Sequence, residues 1–380
     1  MDRKQIGLIY AYNETWIGGT YYVENIIKAL DALPDGEKPF LHIFTKDEDT
    51  YRQLQEKVNY PHCKYHSLTV TLGLFKRFIN FVSVKTTGKN YIRGIKNEKE
   101  ISFYYPNPNA FIFKDVSPKK LVYWIPDFQE IHLPHCFSEA ELGNKALQRS
   151  HMALTAQNIV FSSSDALKDF QQLYPECQAK LNILRFTVHS QADTNISSDI
   201  WEAIKSKYQI TDDYFLCPNQ LWMHKNHITV LKALRELKNS TIKVLFSGKE
   251  EDYRNPNFPA ELKTRVDEYD ISNVASFIGF IPKSDLDILI QNATAIVQPS
   301  LFEGWNTGLE EAKLKNKFII ASNINVHQEQ LNDYPNKVFF EKENDIQLAQ
   351  ILNTLIVQIQ PYNYQEKTLA FARQFVNINI

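Results

Sequence analysis

PSLFEGWNTGLEEAKLKNKFIIAS, residues 299–322, closes the apolar run NATAIVQPS, passes Glu303 and Gly304, and enters a helical pattern at Gly308 before a second β-branched run, FIIAS. Strand, helix and strand in so short a span form a parallel unit, because antiparallel neighbours need only a tight turn. The first amides of such a helix lack intrahelical acceptors and carry the positive end of its dipole. Asn306, Thr307 and Gly308 are therefore placed to cradle an anion, and glycine lets a ligand approach the backbone closely. Thr307-Gly-Leu-Glu310 fits a capping box, which would spend Glu310 on its own helix. Glu303 and Glu311 are not explained in that way. Carboxylates accept hydrogen bonds from vicinal hydroxyls, so two of them flanking a phosphate cradle suit a diphosphate with a sugar at each end, the layout of a nucleotide sugar.

Outward from this stretch the same alternation recurs. QIGLIYAY, PFLHIFTK, ISFYY, KLVYWI and NIVFSS read as strands, with YYVENIIKALDAL (21–33) and EAELGNKALQRSHMAL as helices among them. The polar stretch around residues 188–212 interrupts the series. YFLCPN, TIKVLFSG, ASFIGF, TAIVQPS, FIIAS and KVFF then start a second one. A chain of 380 residues exceeds what one core organises. The expected architecture is α/β, with two Rossmann-like domains facing each other across a cleft. Residues 1–190 are expected to form the N-terminal domain, residues 191–363 the C-terminal domain with the nucleotide sugar, and the last helix, about 364–380, to pack on either.

Composition narrows the function. A formal charge of −2 excludes wholesale nucleic-acid binding, which requires a net basic surface. Four dispersed cysteines, without a C-x-x-C pair, fit a reducing compartment. The first residues show no apolar signal region and no run reaches the length of a membrane span, so the expected location is cytoplasmic. Residues 73–97 carry six basic and no acidic side chains interleaved with aromatic and aliphatic ones. That segment reads either as a solvated helix and loop or as a peripheral contact with an anionic inner membrane face.

The glycine-rich dinucleotide and P-loop fingerprints are absent, as is a serine nucleophile elbow. Asp47-Glu48-Asp49 and Asp285-Leu286-Asp287 can be read as metal-diphosphate motifs, but acids at helix starts are expected from the dipole alone. His224 and His227 lack a companion cluster for zinc. No metal or other cofactor is expected. A departing diphosphate still needs a cation, and Lys225 in CPNQLWMHKNH follows the first strand of the second series, with Asn226 as the next helix's N-cap.

These residues together resemble glycosyltransferase family four, retaining enzymes of the GT-B fold. Glu303 and Glu311 stand as E-x7-E within PSLFEG…LEEA, and the likeness extends through YFLCPNQLWMHKNH, LFSGKEEDYRNP and FIGFIPKSDLDILIQNA. In the N-terminal half it rests on Gly18-Gly19, Asp127 and FSSSDALKDF. The resemblance implies that Glu303 holds donor-sugar hydroxyls and Glu311 the ribose. Lys225 would neutralise the diphosphate, Gly18, Gly19 and the amides of Asn306 to Gly308 would contact phosphate or sugar, and Gly279, Phe280 and Ile281 would line the base. Catalytic roles fall to Glu303, Lys225 and, from the first domain, Asp127, with His132 close behind.

The sequence departs from that pattern at three places. Gln220, counted with the donor-binding residues, stands where an arginine is usual, with Arg185 as a substitute if the fold brings it near. WNTG replaces an FGLP-like stretch, and Pro126 replaces a histidine before Asp127. The implied activity is metal-independent, hexosyltransferase-type transfer from a nucleotide-diphosphate sugar to a glycan or lipid-linked glycan, such as O-antigen or capsule in polysaccharide biosynthesis. A nucleotide-sugar epimerase, a glycan phosphorylase, or a non-catalytic nucleotide-sugar-binding protein are the alternatives.

Overall fold

Every strand of the second series is flanked by sequence that must bury two faces at once, and the computed structural model shows how. Phe215 and Cys217 of the strand Phe215–Pro218, Val244 and Phe246 of the strand Val244–Ser247, and Ala295 and Val297 of the strand Ala295–Gln298 pack into one buried cluster. Their chain neighbours Leu216, Leu245 and Ile296 pack into another. Successive side chains of a strand point to opposite faces, so two clusters from adjacent residues mean a sheet covered by helices on both sides, the usual setting of a parallel sheet.

The structure describes residues 3–11, 17–68, 82, 100–107, 116–189, 196–237 and 240–380. The basic and aromatic segment 73–97 lies outside them apart from Val82. Among the described residues, β1 (Gln5–Ile9), β2 (Phe40–Thr45), β3 (Cys63–Ser67), β4 (Phe103–Asn107), β5 (Leu121–Ile125), β6 (Asn158–Phe161) and β7 (Lys180–Ile183) form one sheet in the order β3-β2-β1-β4-β5-β6-β7. β8 (Phe215–Pro218), β9 (Val244–Ser247), β10 (Ala275–Gly279), β11 (Ala295–Gln298), β12 (Ile319–Ser322) and β13 (Lys337–Phe340) form the other, ordered β10-β9-β8-β11-β12-β13. All the pairings are parallel. The fold class is α/β, and no helix among the described residues is long and apolar enough to cross a membrane.

The chain divides into two units. The first comprises Met1–Pro126, Ala146–Val188 and Gln365–Ile380, and the second Asp127–Lys145 and His189–Tyr364. Asp127, read from sequence as a first-domain residue, thus groups with the second unit. Within the first, the last helix (Tyr364–Val376) sets Phe375 edge-on against Phe103 and Tyr105, with ring centroids 5.7 and 5.5 Å away. Its first helix spans Ile17–Asp31, starting four residues earlier than periodicity alone indicates. Gly18 and Gly19 therefore lie in the first helical turn, Gly18 exposed and Gly19 half-buried.

Both sheets reverse direction of growth once, between β1 and β4 in the first unit and between β8 and β11 in the second. Strand C-termini on either side of such a point open a crevice that loops cannot fill, the preferred ligand position in open α/β sheets. In the second unit the two loops concerned are those carrying Lys225 and Glu303.

Gly248, just past β9, allows one of these loops its course. A Cβ there would lie 2.2 Å from the carbonyl oxygen of Asn219 and 2.8 Å from the amide nitrogen of Gln220, both backbone atoms that cannot swing aside. Gly248→Ala should therefore destabilise the protein by about 2 kcal/mol or more, measured by chemical denaturation. Unchanged stability would show that the loop after β8 moves freely.

Candidate functional site

Two loops are stitched together at the β8/β11 switch point by backbone and cap contacts. After β8 the chain makes a short 3-10 turn, Met223–Lys225, and Asn226 then adopts a left-handed conformation with φ 55°. Asn226 stands at the N-cap position of helix His227–Glu236, as its sequence position suggested. Its side chain, however, reaches no helix amide: Nδ2 donates to the carbonyl of Pro299 at 3.0 Å, and Oδ1 accepts from the Thr229 hydroxyl at 2.9 Å. The amide of Leu301 donates to the carbonyl of His224 at 2.8 Å. These cross-loop bonds fix where the next side chains meet.

Lys225 Nζ donates to Glu303 Oε1 at 2.6 Å, and neither side chain is more than 17% exposed. Ser300 Oγ donates to the same oxygen at 2.6 Å and Asn306 Nδ2 at 3.2 Å. Oε1 is thus saturated, while Oε2 receives no hydrogen bond among the described residues. Burial alone would raise the Glu303 pKa, but the Lys225 ammonium, with lesser contributions from His224 and His327, holds it below the ordinary carboxylate value. The group is a fixed anion with one oxygen to offer.

His327 completes the support. Its Nδ1 lies 3.0 Å from the carbonyl of Ser322, to which it donates, which leaves Nε2 as an acceptor 3.4 Å from Asn306 Nδ2. Burial lowers its pKa to about 4, and burial with the neighbouring Lys225 charge lowers that of His224 to about 3. Both rings are neutral at pH 7. Sequence reasoning gave His327 no role, since a single histidine in a short polar helix carries no signal of what faces it.

Helix Thr307–Leu314 begins where the glutamate loop ends. Asn306 is its N-cap, with Oδ1 accepting from the Leu309 amide at 3.1 Å. The expected capping box on Thr307 is therefore wrong: the cap falls one residue earlier. Glu310 instead accepts from Lys313 at 2.9 Å, Gln330 at 2.8 Å and the Tyr364 hydroxyl at 2.7 Å, all within a buried network. The Asn306 amide is also occupied, donating to Gln330 Oε1 at 3.1 Å. Thr307 and Gly308 retain the two leading amides of the helix for an anion. A Cβ at Gly308 would lie 2.6 Å from Gln298 Nε2, so that side chain would have to shift to admit a larger residue.

Glu311 lies one residue further along this helix, and its Oε1 pairs with Lys283 at 2.8 Å. Gly279 ends β10 at φ 70°; Phe280 is 75% exposed, whereas the Ile281 side chain is buried in the core. Gln220 is half-buried, and its carbonyl accepts from the Trp222 amide at 2.7 Å. Asp127 accepts from the amide of Gln129 at 3.1 Å. Its near neighbour His132 stacks on Phe302, with ring centroids 5.0 Å apart, beside the glutamate loop.

Arg185, in the first unit, donates to Ser164 at 2.9 Å. The second unit has an arginine that the motifs did not single out: Arg254 lies 4.2 Å from the Phe137 ring centroid and donates to Gln129 at 3.3 Å. The acidic triplets have local roles, with Asp47 capping helix Glu48–Val58 and Asp285 pairing with Lys207 at 2.7 Å.

Residues 201–368 match the model of the group 1 glycosyl transferases. A curated relative, the O-antigen chain mannosyltransferase RfbU of Salmonella typhimurium, is 26% identical over 122 residues, 32% of this chain and 33% of that protein. The chain thus spans about a third of the length of the curated relative it matches. Among solved structures, a glycosyltransferase from Rickettsia africae is similar with a TM-score of 0.62 and 16% identity, over 99% of this chain and 94% of that one. Anabaena HepE, solved with UDP and glucose, is similar with a TM-score of 0.61 and 15% identity, over 98% and 94%. The fold is that of the GT-B glycosyltransferases, and the stretch similar to the group 1 model covers most of the second unit.

The geometry makes separable predictions for Glu310 and His327. Glu310→Ala strands Lys313, 7% exposed, and should cost about 3–5 kcal/mol of stability, read by denaturation; a loss under 1 kcal/mol would show that water reaches the network. His327 binds a proton in the unfolded chain below about pH 6.5 but not in the folded one until about pH 4. Its contribution is present above the unfolded value and is lost as pH falls through that window. His327→Gln should therefore lose less stability than the parent between pH 7 and 5. Identical losses would contradict the depressed value.

Proposed function

We propose that the chain is a retaining glycosyltransferase of family four that moves a hexose from a nucleotide-diphosphate donor to a hydroxyl of a surface glycan or lipid-linked glycan. The observation that carries this reading is the Glu303 carboxylate. One oxygen is saturated by Lys225, Ser300 and Asn306, and the other is open, at a switch point where two helix amides also lack acceptors. An oxygen held in that way can accept from sugar hydroxyls while the ammonium beside it faces phosphate.

As the bond between the anomeric carbon and the diphosphate breaks, negative charge collects on the phosphate oxygens. Lys225 and the amides of Thr307 and Gly308 supply the complementary charge in a preorganised site, and the reading gives this task to them rather than to a divalent ion. The acceptor hydroxyl forms the new bond to the same carbon and gives up its proton to the departing diphosphate. Gly279 and Phe280 are assigned to the base, and Gly18, Gly19 and Gln220 to donor contacts. The O-antigen activity named for the Salmonella relative favours a cell-surface polysaccharide as acceptor. Residues 73–97 are proposed to rest on an anionic membrane at its cytoplasmic face.

A thermal-shift panel of nucleotide sugars identifies the donor, because a ligand at 100 times its Kd adds about 2.7 kcal/mol of stability. With that donor and a glycan acceptor, Lys225→Ala should slow transfer about a hundredfold, about 3 kcal/mol in the transition state. Normal turnover in Lys225→Ala, or sugar rearrangement with donor alone, would overturn the proposal.

A further inference from the structure

Lys283 occupies a position that helix energetics disfavour. It is the first residue of helix Lys283–Asn292, where the N-cap Pro282 supplies no side-chain cap. A cation at that end opposes the helix dipole, at a cost of a few tenths to about 1 kcal/mol. Two carboxylates hold it there: Asp287 Oδ1, one turn along the same helix, at 2.8 Å, and Glu311 Oε1, from helix Thr307–Leu314, also at 2.8 Å. An i,i+4 pair would satisfy the lysine locally. The bond to Glu311 does something else, because it ties the lysine to one end of the donor site.

The protonation states are fixed by the same contacts. Burial lowers the Lys283 pKa, but the facing charges of Glu311 and Asp287 outweigh it and hold the group above its usual value. An ammonium has three N–H donors, and two are committed to the carboxylates. The side chain is 52% exposed and Glu311 is 18% exposed, so the pair is open to solvent on one side. Among the described residues, neither the third N–H of Lys283 nor Oε2 of Glu311 has a partner.

A donor beside an acceptor, both ionised and both open, suits a group that donates and accepts at once, such as a hydroxyl, which donates a hydrogen bond to the carboxylate while its oxygen accepts from the ammonium. We propose that Lys283 is a specificity-determining residue that, with Glu311, reads the ribose hydroxyls of the donor and selects ribonucleotides over 2′-deoxyribonucleotides. This rests on the donor-site reading above and extends it to a residue outside the E-x7-E motif. If Glu311 reads the ribose alone, the lysine merely neutralises it, and removing the lysine leaves the preference for ribose intact.

The test uses the full chain and measures binding of ADP, GDP and UDP and their 2′-deoxy counterparts by titration calorimetry. The unaltered protein should bind its preferred ribonucleoside diphosphate at least about tenfold more tightly than the deoxy form, the value of one charge-assisted hydrogen bond. Lys283→Met should weaken the ribo form about tenfold, leave the deoxy form nearly unchanged and so collapse the ratio. Lys283→Arg should restore most of it.

Should the single variant fold poorly, Lys283→Met/Asp287→Asn also removes the charge that faced the lysine and is expected to show the same collapse. A ribo-to-deoxy ratio unaltered in a folded Lys283→Met or double variant overturns the role of Lys283 and leaves the donor reading standing. Absence of binding by any of these nucleotides to the unaltered protein overturns both.

Discussion

The buried contact between Lys225 and Glu303 constrains everything around it. Removing a lysine and a glutamate from water costs several kcal/mol per ion, and mutual attraction offsets that cost only when geometry is close and the remaining lone pairs are satisfied. Here the separation is 2.6 Å, and Ser300 and Asn306 supply further donors to the same oxygen. The pair forms because Asn226 anchors its own loop to Pro299, which fixes the distance between strand ends that are adjacent only in the folded sheet. An asymmetric anion results, with one oxygen spent on the protein and the other left for a ligand. A group built purely for stability would satisfy both.

The same logic separates the three glutamates of the loop and helix. Glu310 has both oxygens engaged by Lys313, Gln330 and Tyr364, and it is the most deeply buried of the three. Its network sets the helix against the chain that follows. Glu303 has one oxygen engaged and Glu311 one, so the two that remain partly open are those that periodicity and capping do not explain. Counting lone pairs thus distinguishes support from site more sharply than burial does, since Glu303 and Glu310 are both buried.

Much of the fold was legible because parallel strands buried on both faces read as short apolar runs, and each run in the second unit became a strand. Strand order was not legible. Nothing in YFLCPN or TAIVQPS says that β8 and β11 are neighbours, and that adjacency makes Lys225 and Glu303 a site rather than two loop residues. The cap was misread by one position because Thr307 and Asn306 are both competent caps. The choice was made by Gln330, 24 residues away, which binds the Asn306 amide and carbonyl. Long-range partners of this kind, His327 and Lys283 among them, carry no local signature.

Gln220 carries no charge, so in the proposed donor site Lys225 would have to meet the diphosphate without an arginine at that position. Lys225 spends one of its donors on Glu303, which leaves it less free to neutralise a diphosphate than an unpaired cation would be. A sugar hydroxyl approaching Glu303 Oε2 would draw electron density from the carboxylate and weaken its hold on the lysine, so that donor binding itself releases positive character toward the phosphate. In the proposed reaction the two ends of the ligand would be coupled through one ion pair: occupancy by the sugar would prepare the charge that its own departure requires. Such coupling would suit a site in which one lysine, Lys225, faces the diphosphate, while the helix amides of Thr307 and Gly308, which cannot be neutralised by a neighbouring acid, would supply the fixed part of the field.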